Sequence, residues 1–98
     1  MNKKTIFKKI NENKNKIKSF GVKHLWLFGS YARDEQTKDS DIDFLVEFIN
    51  KKKVNEDLDF EVFLNHLFLK NVEVISKNNI NEIFKEYILN KSYKEVIF

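Results

Sequence analysis

Between Lys3 and Lys18, isoleucines recur at positions 6, 10 and 17 among lysines and asparagines. That stripe has the period of a helix with one apolar face and predicts one over residues 3–18. Gly21 stands where a left-handed residue would end it. The pattern then changes. His24-Leu-Trp-Leu-Phe28 is a short, aromatic-rich apolar run that stops at Gly29, and it predicts a buried strand. From Asp41 to Phe48 the chain alternates, with Ile42, Phe44, Val46 and Phe48 on one side and Asp41, Asp43, Leu45 and Glu47 on the other. This predicts a second strand. The polar stretch opened by Lys51, Lys52 and Lys53 reads as an exposed loop. Helical spacing returns over 58–70 through Phe60, Phe63, Leu64 and Leu67, with Asp57 available as the cap. Val72–Ile75 is a short third strand. Asn79-Ile-Asn-Glu82 has the form of a capping box ahead of a stripe made by Ile80, Ile83, Phe84, Tyr87 and Ile88. The tail, 92–98, fits either a helix or a short strand.

The order of elements constrains the topology. About a dozen residues separate the first two strands, tight for a parallel crossover, so antiparallel neighbours are expected. A full helix joins the second and third, as a parallel pairing requires. The expectation is an α+β fold, a small mixed sheet of three to four strands with helices packed on it. No Pro/Gly/Ser linker, repeat or low-complexity tract divides the chain, so residues 1–98 read as a single domain.

Composition removes several classes of function. There are no cysteines, which excludes disulfides and Cys-based zinc sites and fits a reducing interior. No run of about 18 apolar residues exists, and no apolar stretch with a cleavage site follows the basic N-terminus. A soluble, cytoplasmic protein without membrane contact is expected. The net charge of +3 is uneven: residues 1–20 hold seven lysines against Glu12, leaving the other 78 residues at −3. A solvated helix face accounts for this basic segment better than direct nucleic-acid binding. His24 and His66 lack ligand-like spacing and read as packing or surface residues. Ten phenylalanines are many for so small a core. They either replace leucine inside or line a partner or oligomer interface.

Three features carry chemistry. Gly29-Ser30 follows a buried strand, where glycine admits a phosphate close to the backbone and the serine hydroxyl and following amides can donate to it. If Tyr31-Ala-Arg33 opens a helix, the phosphate lies at its positive end, and Arg33 adds a charged contact. Asp41 and Asp43 are two apart in a strand and so face the same way. Adjacent carboxylates repel unless one protonates or a cation joins them, and magnesium is suited to oxygen ligands and phosphates. The other reading is a solvated edge with two charges in phase, against which Leu45 on the same face argues. Glu73, between β-branched residues, either completes a site with Asp41 and Asp43 or lies on an edge strand in water.

Taken together, Gly29-Ser30-Tyr-Ala-Arg33 through Ser40-Asp41-Ile-Asp43-Phe-Leu-Val46 resembles the signature of the nucleotidyltransferase superfamily that includes DNA polymerase beta: Gly-Ser, ten residues, then Asp-x-Asp. The order of elements agrees over essentially all 98 residues. The likeness is strongest to the minimal nucleotidyltransferase (MNT) antitoxins that accompany HEPN-domain ribonuclease toxins. The resemblance implies a polymerase-beta-like fold and transfer of AMP from ATP to a tyrosine of the toxin, with one or two Mg2+ ions. It implies Gly29, Ser30, Arg33 and Ser40 as nucleotide contacts, and Asp41, Asp43 and Glu73 as catalytic and metal-binding carboxylates. Two departures stand out. Asp34 occupies a position the family usually fills with glycine, which bears on the shape of the turn, and Glu73 replaces a more usual aspartate. They keep open a non-catalytic antitoxin that neutralises its partner by binding alone. A nucleotidyltransferase acting on a small molecule or RNA end is a further alternative. The chain is expected to form an oligomer with itself or with the toxin.

Overall fold

The computed structural model describes residues 1–49, 56–76 and 94–96; for 56, 57 and 94–96 only the backbone is considered. The expected helix over 79–88 and the lysine loop at 51–53 lie outside the described residues. Two short helices, α1 (Lys3–Glu12) and α2 (Lys14–Ser19), precede strands β1 (Val22–Phe28) and β2 (Ile42–Phe48). Helix α3 (Glu56–Phe68), strand β3 (Val72–Ser76) and strand β4 (Lys94–Val96) follow.

Local chemistry explains the boundaries. Asn2 caps α1, its Oδ1 accepting the Thr5 amide at 2.9 Å. The single helix expected over 3–18 is broken at Asn13, whose side-chain amide donates to the Lys9 carbonyl at 2.8 Å. An asparagine that bonds the preceding turn in this way competes with the helical ladder, and the chain restarts at Lys14. Gly21 ends α2 with φ 85°, in the left-handed conformation. Helix α3 begins at Glu56, so Asp57 lies in its first turn rather than at the cap. It ends where Leu69 turns left-handed at φ 51°, and Asn65 Oδ1 then accepts the Val72 amide at 2.6 Å, tying the helix to β3.

The sheet runs β3-β2-β1-β4. β1 and β2 are antiparallel and β2 and β3 parallel, both as the connection lengths require. The tail, open between helix and strand, supplies β4, antiparallel to β1. Register decides what each face carries. Leu25, Leu27, Phe44, Val46 and Val72 are buried with Ile6, Ile10, Ile17, Phe60, Leu64 and Phe68 in one core on the helix side. Partners in register share a face, so Phe28, Asp43 and Glu73 stand together on the opposite side.

The phenylalanines belong to the packing. All eight among the described residues are buried or half-buried, with rings such as Phe20 and Phe60 5.5 Å apart. The lysines of α1 and α2 are mostly solvated, while Lys3 bonds the Ala32 carbonyl and Lys9 the Leu67 carbonyl in the last turn of α3. His24 lies beside Glu47 and Trp26, and His66 is exposed. No helix among the described residues is long and apolar enough to cross a membrane.

Candidate active site

After β1 the chain makes a tight set of turns rather than the helix considered at Tyr31-Ala-Arg33. Ala32 and Arg33 donate to the Gly29 carbonyl at 3.1 and 3.3 Å, and Glu35 returns to the Ser30 carbonyl at 2.9 Å. The coil goes no further because Asp34 turns left-handed at φ 57°, while Tyr31 and Ala32 are buried in the core at 2% and 3% exposure. As at the start of a helix, the first amides of such a turn, those of Ser30 and Tyr31, have no acceptor within it and are placed to meet an anion.

Gly29 is required here for two reasons. Its φ is 78°, which L side chains adopt at a cost. In addition, a Cβ built on it would overlap Asp43 Oδ2 and come within 3.3 Å of the Asp43 Cγ. The glycine-serine bend and the acidic strand therefore touch. Asp43 pairs in register with Glu73 across the β2–β3 ladder, and the two carboxyls share a hydrogen bond in which protonated Asp43 is the donor. Burial, chiefly, pushes the Asp43 carboxyl up from 3.8 to about 7. The bond to Glu73 and the charges of Glu73 and Asp41 add to this, and the Arg33 guanidinium opposes it.

The three predicted carboxylates are thus placed unequally. Asp43 and Glu73 meet. Asp41, exposed and one residue before β2 begins, reaches Asp43 through its charge. Among the described residues no three acidic, histidine or cysteine side chains converge around one point that could hold an ion. With Asp43 ionised, its oxygens and those of Glu73 would form the hard, anionic donor set that magnesium prefers. β3 is an edge strand of the described sheet, so Glu73 is both exposed to water and partnered.

A family model described as "Nucleotidyltransferase domain" matches residues 5–98. The chain belongs to this family. It is 41% identical over 87 residues to a Methanocaldococcus jannaschii protein named "Putative protein adenylyltransferase MJ0435", covering 85% of this chain and 94% of that one. A solved structure of a "putative minimal nucleotidyltransferase" superposes with a TM-score of 0.78 at 24% identity, covering 94% of both chains. A second solved structure, tri-AMPylated Shewanella oneidensis HEPN toxin in complex with MNT antitoxin, matches at TM-score 0.61 and 17% identity. It covers 89% of this chain and 71% of that one. At these identities the two structures establish the fold, and the protein is a nucleotidyltransferase enzyme of the α+β class.

Other residues of the nucleotidyltransferase signature have distinct places. Arg33 lies at the rim, its Nε donating to Glu35 Oε2 at 3.1 Å, with its charge directed at Asp43. The Ser40 hydroxyl accepts the Thr37 amide at 2.9 Å and so shapes the loop before β2. Asp34 takes φ 57°, the left-handed backbone for which glycine is the usual choice and which aspartate tolerates better than most residues. Its departure therefore preserves the turn. Its carboxylate is held by Lys3 Nζ at 3.2 Å, which also donates to the Ala32 carbonyl at 3.4 Å. Lys3 was not among the expected site residues. No sequence signal marks it, because it lies 31 positions from its partner.

Proposed function

We propose that this nucleotidyltransferase is an antitoxin-type protein adenylyltransferase that transfers AMP from ATP to a tyrosine hydroxyl of a HEPN-domain ribonuclease toxin in the cytoplasm. The reading is supported by the contact between Gly29 and Asp43, which sets the glycine-serine bend beside the acidic pair at one end of the sheet. The AMPylated toxin described above, bound to an MNT antitoxin of the same fold, supports the choice of acceptor.

The chain's own groups divide the work. The Ser30 and Tyr31 amides and the Ser30 hydroxyl receive phosphate oxygens, and Arg33 offsets their charge. Asp43 and Glu73, with Asp41, would hold magnesium, which supplies charge neutralisation on the triphosphate. The tyrosine oxygen attacks the α-phosphorus in line, the new O–P bond forming as the bond to the β-phosphate oxygen breaks and pyrophosphate departs. The exposed Glu73 carboxylate takes the hydroxyl proton. Most of the rate gain arises from holding the reactants in line beside these fixed charges.

Intact-mass spectrometry of the toxin after incubation with ATP, magnesium and this protein tests the proposal. Adducts of AMP mass on tyrosine are expected, and they should vanish with Asp43→Asn or Glu73→Gln. A stable complex without adducts would replace catalysis by neutralisation through binding alone.

A further inference from the structure

The turn after β1 has a carbonyl end as well as an amide end. Within it the Gly29, Ser30 and Tyr31 carbonyls accept the amides of Ala32, Arg33, Asp34 and Glu35. Among the described residues no backbone amide donates to the Ala32 carbonyl, so this oxygen is the first left over, as in the last turn of a helix. Lys3 Nζ donates to it at 3.4 Å and meets Asp34 Oδ2 at 3.2 Å. Lysines near a helix end often close its final carbonyls in this way. Here the lysine comes from a separate element, 29 positions before Ala32.

The position of Lys3 shows what holds its ammonium. It is the first residue of α1, and the first turn of that helix contains no acidic side chain. The backbone dipole disfavours a cation at this end, so the ammonium is held by the turn and not by its own helix. α1 is in turn fixed, with Ile6 and Ile10 fully buried and Asn2 capping its start. The Lys3 side chain is 26% exposed and that of Asp34 64%. A pair this open to water adds little to stability. Its consequence is geometric. The coil that Lys3 grips at Ala32 carries the Ser30 and Tyr31 amides at its other end, and its first residue, Gly29, lies against Asp43. The ammonium also offsets the negative charge that Asp34 would otherwise bring to a phosphate-receiving turn.

We propose that Lys3 is a positioning residue for the nucleotide: it clamps the carbonyl end of the 29–35 turn to α1 and so directs the Ser30 and Tyr31 amides at the triphosphate. Asp34 aims the ammonium at the Ala32 carbonyl. The inference rests on the reading that the Gly29–Ser30 bend takes the triphosphate.

Calorimetric titration of the full chain with ATP and with inorganic tripolyphosphate, magnesium present, tests this. Lys3→Met should bind both compounds about fivefold more weakly at unchanged stoichiometry, the equivalent of one hydrogen bond of about 1 kcal/mol. Lys3→Arg, which reaches the same two oxygens with a charged donor, should restore the affinity. Lys4→Met removes the same charge from an exposed neighbour, and Asn2→Ala weakens the start of α1; both should bind as wild type does. A purely structural role would lower the stoichiometry as unfolded protein accumulates and leave the affinity of the remainder unchanged. If the methionine variant does not fold, Lys3→Gln, which also removes the charge, carries the same expectation. Wild-type affinity in the uncharged Lys3 variant, or an equal loss in Lys4→Met, would overturn the clamp alone. No binding of either compound by the wild type would overturn the triphosphate reading with it.

Discussion

Replacing Asp43 by asparagine should make the metal-free protein more stable at pH 8 than the wild type, although it removes a residue assigned to the reaction. In the native state the carboxyl ionises near pH 7, against 3.8 in the open chain. Between those values the folded state keeps a proton that the unfolded state has released. Unfolding therefore becomes easier as pH rises through this window, and the contribution levels off above it. At full strength the displacement amounts to about 4 kcal/mol. Asp43 is only half-buried, and its neighbours Asp41 and Glu73 are exposed to screening, so about 1–2 kcal/mol is expected. Asparagine has the same shape, donates to the Glu73 carboxylate as protonated Asp43 does, and carries no charge to desolvate. Thermal unfolding with chelator present reads the effect. For a domain of this size the variant should melt about 5–10 °C above wild type at pH 8, and the gap should close toward pH 4. A gap that is absent at pH 8, or that stays constant with pH, would refute the account of Asp43.

Magnesium should raise the melting temperature of the wild type more at pH 8 than at pH 5.5, because the proton between Asp43 and Glu73 must leave before their oxygens can act as ligands; differential scanning fluorimetry reads this. Gly29→Ala should lower stability by at least about 2 kcal/mol in urea titrations and abolish transfer, since the new methyl meets the Asp43 carboxyl and φ is 78°. Asp34→Gly should fold within about 0.5 kcal/mol of wild type, whereas Asp34→Ala should lose about 1 kcal/mol, because only glycine relieves a backbone at φ 57°. Asn2→Ala should cost about 1 kcal/mol by removing the cap on the Thr5 amide, with no effect on nucleotide binding.

Patterns that repeat over a few residues were readable from the chain alone. The alternation of Ile42, Phe44, Val46 and Phe48, the stripe of Phe60, Leu64 and Leu67, and the spacing from Gly29-Ser30 to Asp41 and Asp43 all reflect short-range geometry. A strand or helix imposes such geometry on neighbours whatever the rest of the molecule does. Connection lengths were equally legible, and with them the antiparallel and parallel pairings. Tertiary structure decided what depends on partners distant in sequence. It set β3 at the edge and Glu73 level with Asp43, 30 positions away. It left Asp41 apart from that pair, and it closed the Lys3–Asp34 link. The left-handed backbone at Asp34 belongs to the same group. Periodicity reports which side of an element is apolar. Register and loop path determine which charges then meet, and in this protein those meetings raise the Asp43 carboxyl and build the site.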